Sequence, residues 1–291
     1  MRKIFFKFWR PLLAVIFWGN SFIATKIALS EINPKTIIAL RLIIAVFFLI
    51  TAAIISKKEF KISLKNQVGI LILALIAVIH LWIQITGLKY TTAVNTGWII
   101  GISPVFIALL GFLFFKEKMT LINVSGMLIA FFGLFLLIGK GNFLSIGLIS
   151  HKGDLLVVAS TITWAVYSIV NKKISLNYSP MMTILYLFIT MAIIILPFAI
   201  NSGDINAVIH LSFKAWIAVL FLGVFCSGVA YVLWSHSLSE LNASKVGVFL
   251  YVEPFVTVFS SWLILSEVIT LITILSGLII ISGVILVNRS K

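Results

Sequence analysis

Glu253 is a carboxyl group in an apolar solvent. It stands nine residues into a hydrophobic stretch over 244–265, directly before Pro254. An ionisable group at that depth costs about 2.5–3.5 kcal/mol on insertion scales, so it faces a cavity or a partner rather than lipid. Pro254 removes a backbone hydrogen bond and crowds the carbonyl of Leu250, which bends a helix. The freed carbonyl and the carboxylate can together hold an ammonium group or carry a proton. The plainer alternative is a protonated, hydrogen-bonded packing element. His80 and Gln84 lie four residues apart and stack on one helix face. An imidazole with a pKa of about 6.5 can share a proton with Glu253 if their helices meet. A histidine held by hydrogen bonds within the packing fits the same position.

Rings with polar tips recur at helical spacing. Trp164, Tyr167 and Asn171 share one face, Ser227, Tyr231 and Trp234 share another, and Tyr251 neighbours Glu253. Such rings can line a cavity that holds a mostly apolar solute and still hydrogen-bond it. Tryptophans at span ends act instead as interfacial anchors, which suits Trp9, Trp216 and Trp262. Trp18, Trp98, Trp164 and Trp234 lie deeper and suit a cavity better. Asn20, two residues from Trp18, points to another side of its helix. It is either a cavity residue or, with Ser21, a bond to a neighbouring helix. Lys26 and Arg41, toward the ends of their spans, are expected to snorkel to the headgroups; the alternative is a positive rim for a carboxylate or phosphate. The candidate cavity set is therefore Trp18, Asn20, His80, Gln84, Trp98, Trp164, Tyr167, Tyr231, Trp234, Tyr251 and Glu253, with Pro104 and Pro254 as helix-bending residues. No catalytic group, metal-ligand spacing or cofactor motif accompanies them.

The elements that must position these residues are membrane helices. The chain is 62% hydrophobic and 10% charged, with mean hydropathy +1.21, whereas soluble domains carry about 25% charged residues. Ten stretches are long enough to span: 11–29, 36–55, 68–87, 93–115, 121–138, 154–171, 181–200, 215–236, 244–265 and 271–287. The connections leave no room for a soluble domain. The net charge of +14 does not indicate nucleic acid, because the basic residues sit at span ends and in short loops. With the N-terminus inside, fifteen Lys and Arg fall on that side and five on the other, and Lys26 and Arg41 lie within spans. The positive-inside rule then makes both termini cytoplasmic. The start resembles a signal peptide but leads into no soluble domain, so it reads as a retained first helix. The single cysteine, Cys226, allows no intrachain disulfide.

The chain also repeats itself. Trp18 and Trp164, like Pro34 and Pro180, are 146 residues apart; later Leu88 matches Leu238, Ala93 Ala243, Gly97 Gly247, Pro104 Pro254 and Glu117-x-x-Thr120-Leu121 Glu267-x-x-Thr270-Leu271 at an offset of 150. This divides the chain into a repeat over 1–138, a connection over 139–153 and a repeat over 154–291. Five crossings in each half place the second copy upside down relative to the first, as in carriers with inverted repeats. The repeat mate of Glu253 is Ser103, so carboxylate chemistry is confined to one half. Glu117 and Glu267 each precede a threonine suited to capping the next helix, and both read as structural.

These marks together resemble the drug/metabolite transporter superfamily, in its ten-helix EamA-type branch. They are Trp18-Gly19-Asn20-Ser21 with Lys26, Arg41, Leu88-x-Tyr90-Thr91-x-Ala93, the Pro104 to Glu117 spacing, Gly126 with Gly133, Tyr231-x-x-Trp234, Glu253-Pro254, Glu267, and Gly277 with Gly283. The second half departs from the first at Ala165, in place of Gly19, and at Leu187, in place of Arg41. The resemblance implies an all-α integral membrane protein whose ten helices form two inverted five-helix repeats. It implies transport of a small organic metabolite, an amino acid or derivative foremost and outward by kinship, in a bacterial inner membrane. The partners expected are the solute, the bilayer and protons as coupling ions, with the protein a monomer or homodimer.

Among functions, alternating access between the halves fits best, with import or exchange of a nucleotide-like or other metabolite as the alternative. A membrane enzyme acting on lipid or prenyl groups would need paired carboxylates for a metal or an acid–base pair, and the eight acidic residues offer no such pair at membrane depth. A channel would call for repeated rings of pore-lining polar groups, which the unequal halves do not supply.

Overall fold

The computed structural model describes all residues except 1, 62, 116–118, 142–150, 175–177, 201, 241–245, 247 and 290–291. Glu117, Ala243, Gly247 and most of the connection between the repeats lie outside the described residues. Those described are helical, with no β-strand among them. Eight helical stretches are long and apolar enough to cross a membrane, and Phe249–Leu265 and Leu271–Val287 are shorter apolar helices. That makes ten, five in each half.

Equivalent positions in the two halves begin helices by the same chemistry. Helix α1 is Arg2–Leu29 and α2 is Pro34–Ile55, with Asn33 before it and Pro34 in its first turn. Proline suits that turn because its missing N–H would be unpaired anyway. Helix α3 is Leu64–Lys89. The fourth span is broken into α4 (Ala93–Ile100) and α5 (Ser103–Phe115), with Pro104 second in α5. Helix α6 (Leu121–Ile138) starts with a capping box between Thr120 and Asn123. In the second half, α7 is Lys152–Lys173 and α8 is Pro180–Ala199, again with proline in the first turn. The connection after it contains helix α9 (Ser202–Ile209). The eighth span is α10 (Phe213–Phe221), a π-helical segment Leu222–Val229, and α11 (Ala230–Glu240). The ninth opens with a 3-10 turn, Val248–Val252, before α12 (Glu253–Leu265), so Pro254 too stands second in its helix. Helix α13 is Leu271–Arg289.

The chain gathers into two compact units, and each draws on both halves of the sequence. The first comprises Met1–Trp82 and Ile174–Glu253. Here α2 packs on α8 and on the π segment, and α1 packs on α10 and α11. Ile38, Leu42, Ala45, Leu49 and Ala53 form the buried stripe of α2 at helical spacing. Acidic groups fasten the start of α2. Glu31 accepts hydrogen bonds from the backbone N–H (2.8 Å) and hydroxyl (2.5 Å) of Ser212, the residue that caps α10. Asp204 accepts from Asn33 at 3.0 Å and pairs with Lys35 at 3.1 Å.

These contacts set a pH response. The Ser212 hydroxyl, then its backbone N–H, holds the Glu31 carboxyl below its usual 4.5. Burial pushes Asp204 up, but the bonds from Asn33 and Lys35 outweigh it and leave the group below its usual 3.8. A depressed carboxylate contributes its full stability above the unfolded pKa and loses it as pH falls through the folded one. Thermal stability of the purified protein should therefore be level with respect to these two groups above about pH 5 and drop as the medium is acidified through and below about 4. Glu31→Gln with Asp204→Asn should be less stable at neutral pH and show a shallower acid limb. An unchanged acid limb in the double variant would show that neither latch contributes.

The second unit comprises Ile83–Lys173 and Pro254–Lys291. Its tightest pair is α6 with α13. Gly126 and Gly133 on α6, and Gly283 on α13, let the two backbones touch, as in other membrane helix pairs lined by small residues. Asn123 donates from Nδ2 to the Val287 carbonyl at 2.6 Å. The start of α4 is held from two sides. Glu267 accepts from the backbone N–H groups of Ala93 and Val94, both at 2.9 Å, and the buried Asp154 accepts from Thr91 and Asn95. Unpaired N–H groups at a helix start call for this kind of acceptor, and the structural reading of Glu267 acquires its geometry here.

Candidate functional site

Several of the residues expected to line a cavity meet within the first unit. The Trp18 ring lies edge-on to Tyr231 at 5.3 Å and tilted against Trp234 at 5.1 Å, and Phe188 meets Tyr231 edge-on at 5.1 Å. The indole N–H of Trp18 donates to the Cys226 carbonyl at 3.1 Å. That carbonyl belongs to the π segment, and the wider turn leaves carbonyls without their i+4 partners, a form frequent at functional sites. The Cys226 thiol donates to Phe17 O at 3.2 Å, so it is a packing group.

Glu253 is 9% exposed and is the first residue of α12. Backbone N–H groups at a helix start favour negative charge. Tyr231 and Arg41 belong to the same compact unit as Glu253. Tyr251 is half-buried, one turn before α12 proper, and His80 is buried on α3.

Arg41 departs from the sequence expectation. Its side chain does not snorkel: the residue is 6% exposed and Nε donates to the Ser227 hydroxyl at 2.7 Å. Ser227 lies fourteen residues from one end of the span Phe213–Ser237 and ten from the other, which puts the guanidinium near mid-span. Hydropathy places Arg41 only five residues inside its span, close enough to an end to suggest escape to the headgroups. The signal that could have found it is Gly223 with Gly228 flanking Ser227. Those glycines admit α2 closely, with Ile44 and Phe48 only 2.5 Å from where a Cβ would stand.

Asn20 and Ser21 bond back onto α1, to the carbonyls of Ile16 (2.8 Å) and Trp18 (2.6 Å), rather than across to another helix. Short polar side chains in a helix find a carbonyl three or four residues back before they find a neighbour.

The remaining candidates belong to the second unit. Trp164 stacks on Tyr167 at 5.3 Å, and Gln84 is half-buried on α3. Trp98 is 2% exposed, packed over Gly277 and edge-on to Phe255 at 5.3 Å, and its indole N–H has no hydrogen-bond partner among the described residues.

A family model described as the EamA-like transporter family matches the chain twice, over residues 9–139 and 151–289. The chain belongs to the EamA-like transporter family. The two matches enclose the five spans of each half. An uncharacterized transporter of Archaeoglobus fulgidus is 31% identical to this EamA-like transporter, with 91% of each chain covered. The uncharacterized transporter YyaM of Bacillus subtilis is 27% identical over 85% of this chain and 82% of its own. A crystal structure with 16% identity superimposes with a TM-score of 0.68, covering 97% of this chain and 98% of that one, which is a likeness of fold. The protein is therefore a multi-pass membrane transporter of ten helices in two repeats, whose partner is a small-molecule solute.

Proposed function

We propose that this EamA-like transporter exports an amino acid or a close derivative by alternating access of its two repeats, 1–138 and 154–291, with the ammonium group held at Glu253. The observation that carries the reading is the placement of that carboxyl. It is buried, it opens α12, and it lies in the same unit as the Trp18, Tyr231 and Trp234 rings. A carboxylate and polar-tipped rings within one unit suit a solute with one cationic group and an apolar body. Outward transport is what the resemblance to the drug/metabolite transporter superfamily implies, and the excess of basic residues on one side supports cytoplasmic termini. The coupling ion in this reading is the proton, and Glu253 is its carrier when the solute leaves.

The test is a thermal-stability screen of purified protein against amino acids, nucleobases, sugar phosphates and cationic drugs. A ligand bound only by the folded state at a hundred times its Kd adds about 2.7 kcal/mol. Amino acids should stabilise the wild type and fail to stabilise Glu253→Gln. Stabilisation that survives in Glu253→Gln would remove the ammonium role, and a screen answered only by nucleobases or sugar phosphates would remove the amino-acid reading.

A further inference from the structure

We propose that Arg41 is an anion-binding residue of this transporter, taking the carboxylate or an equivalent oxyanion of the transported solute on its two Nη groups. Arginine carries five N–H donors in a rigid fork. One, on Nε, is used by Ser227. The other four have no hydrogen-bond acceptor among the described residues, and no carboxylate there lies within ion-pair distance of the guanidinium. Yet the residue is more than nine-tenths buried, at membrane depth.

A buried cation with no paired charge is unfavourable, and an ionisable residue within a membrane span marks a substrate or ion pathway by default. The surrounding structure supports an arriving oxyanion. Ser227 holds Nε, which fixes the plane of the guanidinium and leaves its Nη donors unused. Arg41 is excluded from the headgroups by its depth, and its position is fixed by the close contact of Ile44 with Gly223. The fork matches the two oxygens of a carboxylate or phosphate, and such pairs are both stronger and more directional than a bond between neutral groups.

The proposal rests on the reading that the solute binds in the first unit, and it deepens that reading. With Arg41 and Glu253 both buried in the first unit, a zwitterion would satisfy both groups at once. An uncharged or purely cationic solute would leave Arg41 uncompensated.

The experiment uses the full-length protein in detergent and measures thermal stabilisation by the twenty amino acids, by their carboxamides, by acetate and by inorganic phosphate. The expected result is that an oxyanion-bearing probe binds and that its carboxamide binds at least about tenfold more weakly. Arg41→Gln should weaken the oxyanion probe by about 10- to 100-fold and leave the carboxamide unchanged, with Arg41→Lys in between. Ser227→Ala, which leaves the charge in place and frees the fork, should cost the oxyanion several-fold; it decides the matter if Arg41→Gln does not fold.

Equal binding of acid and carboxamide by the wild type would overturn the proposal. So would wild-type affinity for the oxyanion in Arg41→Gln, or in Ser227→Ala where Arg41→Gln does not fold, or the absence of any oxyanion among the binders. The two readings separate cleanly. Phosphate binding that depends on Arg41, without any amino acid, keeps the anion site and removes the amino-acid reading. Amino-acid binding indifferent to Arg41 does the reverse.

Discussion

Replacing Gly283 by valine should dismantle the pairing of α6 with α13. A Cβ at that position would stand 2.5 Å from the Ala130 backbone nitrogen and 2.5 Å from the Gly126 carbonyl oxygen. Both obstacles are backbone, so no rotamer change relieves them. The only relaxation is to move α13 outward. That would break the 2.6 Å bond from Asn123 to the Val287 carbonyl and open the interface around Ala130 and Leu134. Overpacking costs about 1–3 kcal/mol where side chains can adjust; with helix backbones in the way, at least about 3 kcal/mol is expected. The measurement is the melting temperature and monodispersity of purified protein, with Ser282→Ala, on the exposed side of the same helix, as the control that stays within about 0.5 kcal/mol. A Gly283→Val chain that melts with the wild type would mean that the two helices do not pack this closely.

Gly223→Val should have the second large effect, and it should reach function. Its Cβ would meet the Ile44 Cγ2 methyl at 2.5 Å and the Arg41 carbonyl at 3.1 Å. Isoleucine is β-branched and has almost no rotamer freedom in a helix, so α2 must retreat from the π segment. The 2.7 Å bond from Arg41 to Ser227 spans that gap and is lost with it. Transport in reconstituted vesicles should fall to background, with a lower melting temperature. Ile44→Ala added to Gly223→Ala should recover much of both, because it removes the obstructing methyls rather than the glycine's space. Such a pair is non-additive by construction. Full transport in Gly223→Val would show that α2 and the π segment are not held together at this point.

Much of the architecture was legible from particular residues. Hydropathy located the ten apolar helices because each must match the thickness of a bilayer. Thr120 was legible as a cap. Pro104 and Pro254 were read as bends, and the fourth and ninth spans restart at them, because proline cannot donate and is tolerated in a first turn. The rings of Trp18, Tyr231 and Trp234 were legible as polar-tipped aromatics, and they meet.

Other features were hidden for physical reasons. A π segment differs from an α-helix in which carbonyl each N–H reaches, and hydropathy is blind to that. Trp98 looked as deep as Trp234, but only the contact with Gly277 shows that its ring is packed. Arg41 was placed by its distance from a span end, whereas its position is decided by Ser227, 186 residues later. The repeat identifies equivalent helices without saying which of them pack together, so the make-up of the two compact units was not readable from it.

That separation of 186 residues has a consequence for how the protein is made. At about 5–20 residues per second, a ribosome that has placed Arg41 in its helix needs about 10–40 seconds more to supply Ser227. Through that interval the second span must hold a guanidinium in the bilayer with its eventual partner still unmade. The rest of the span is built for the wait: its hydropathy of 2.8 is the highest of the eight long spans, so the apolar residues around Arg41 can carry one charge into the membrane. Nascent chains halted before residue 222 should therefore insert the second span, and the same chains with a second arginine in it should not.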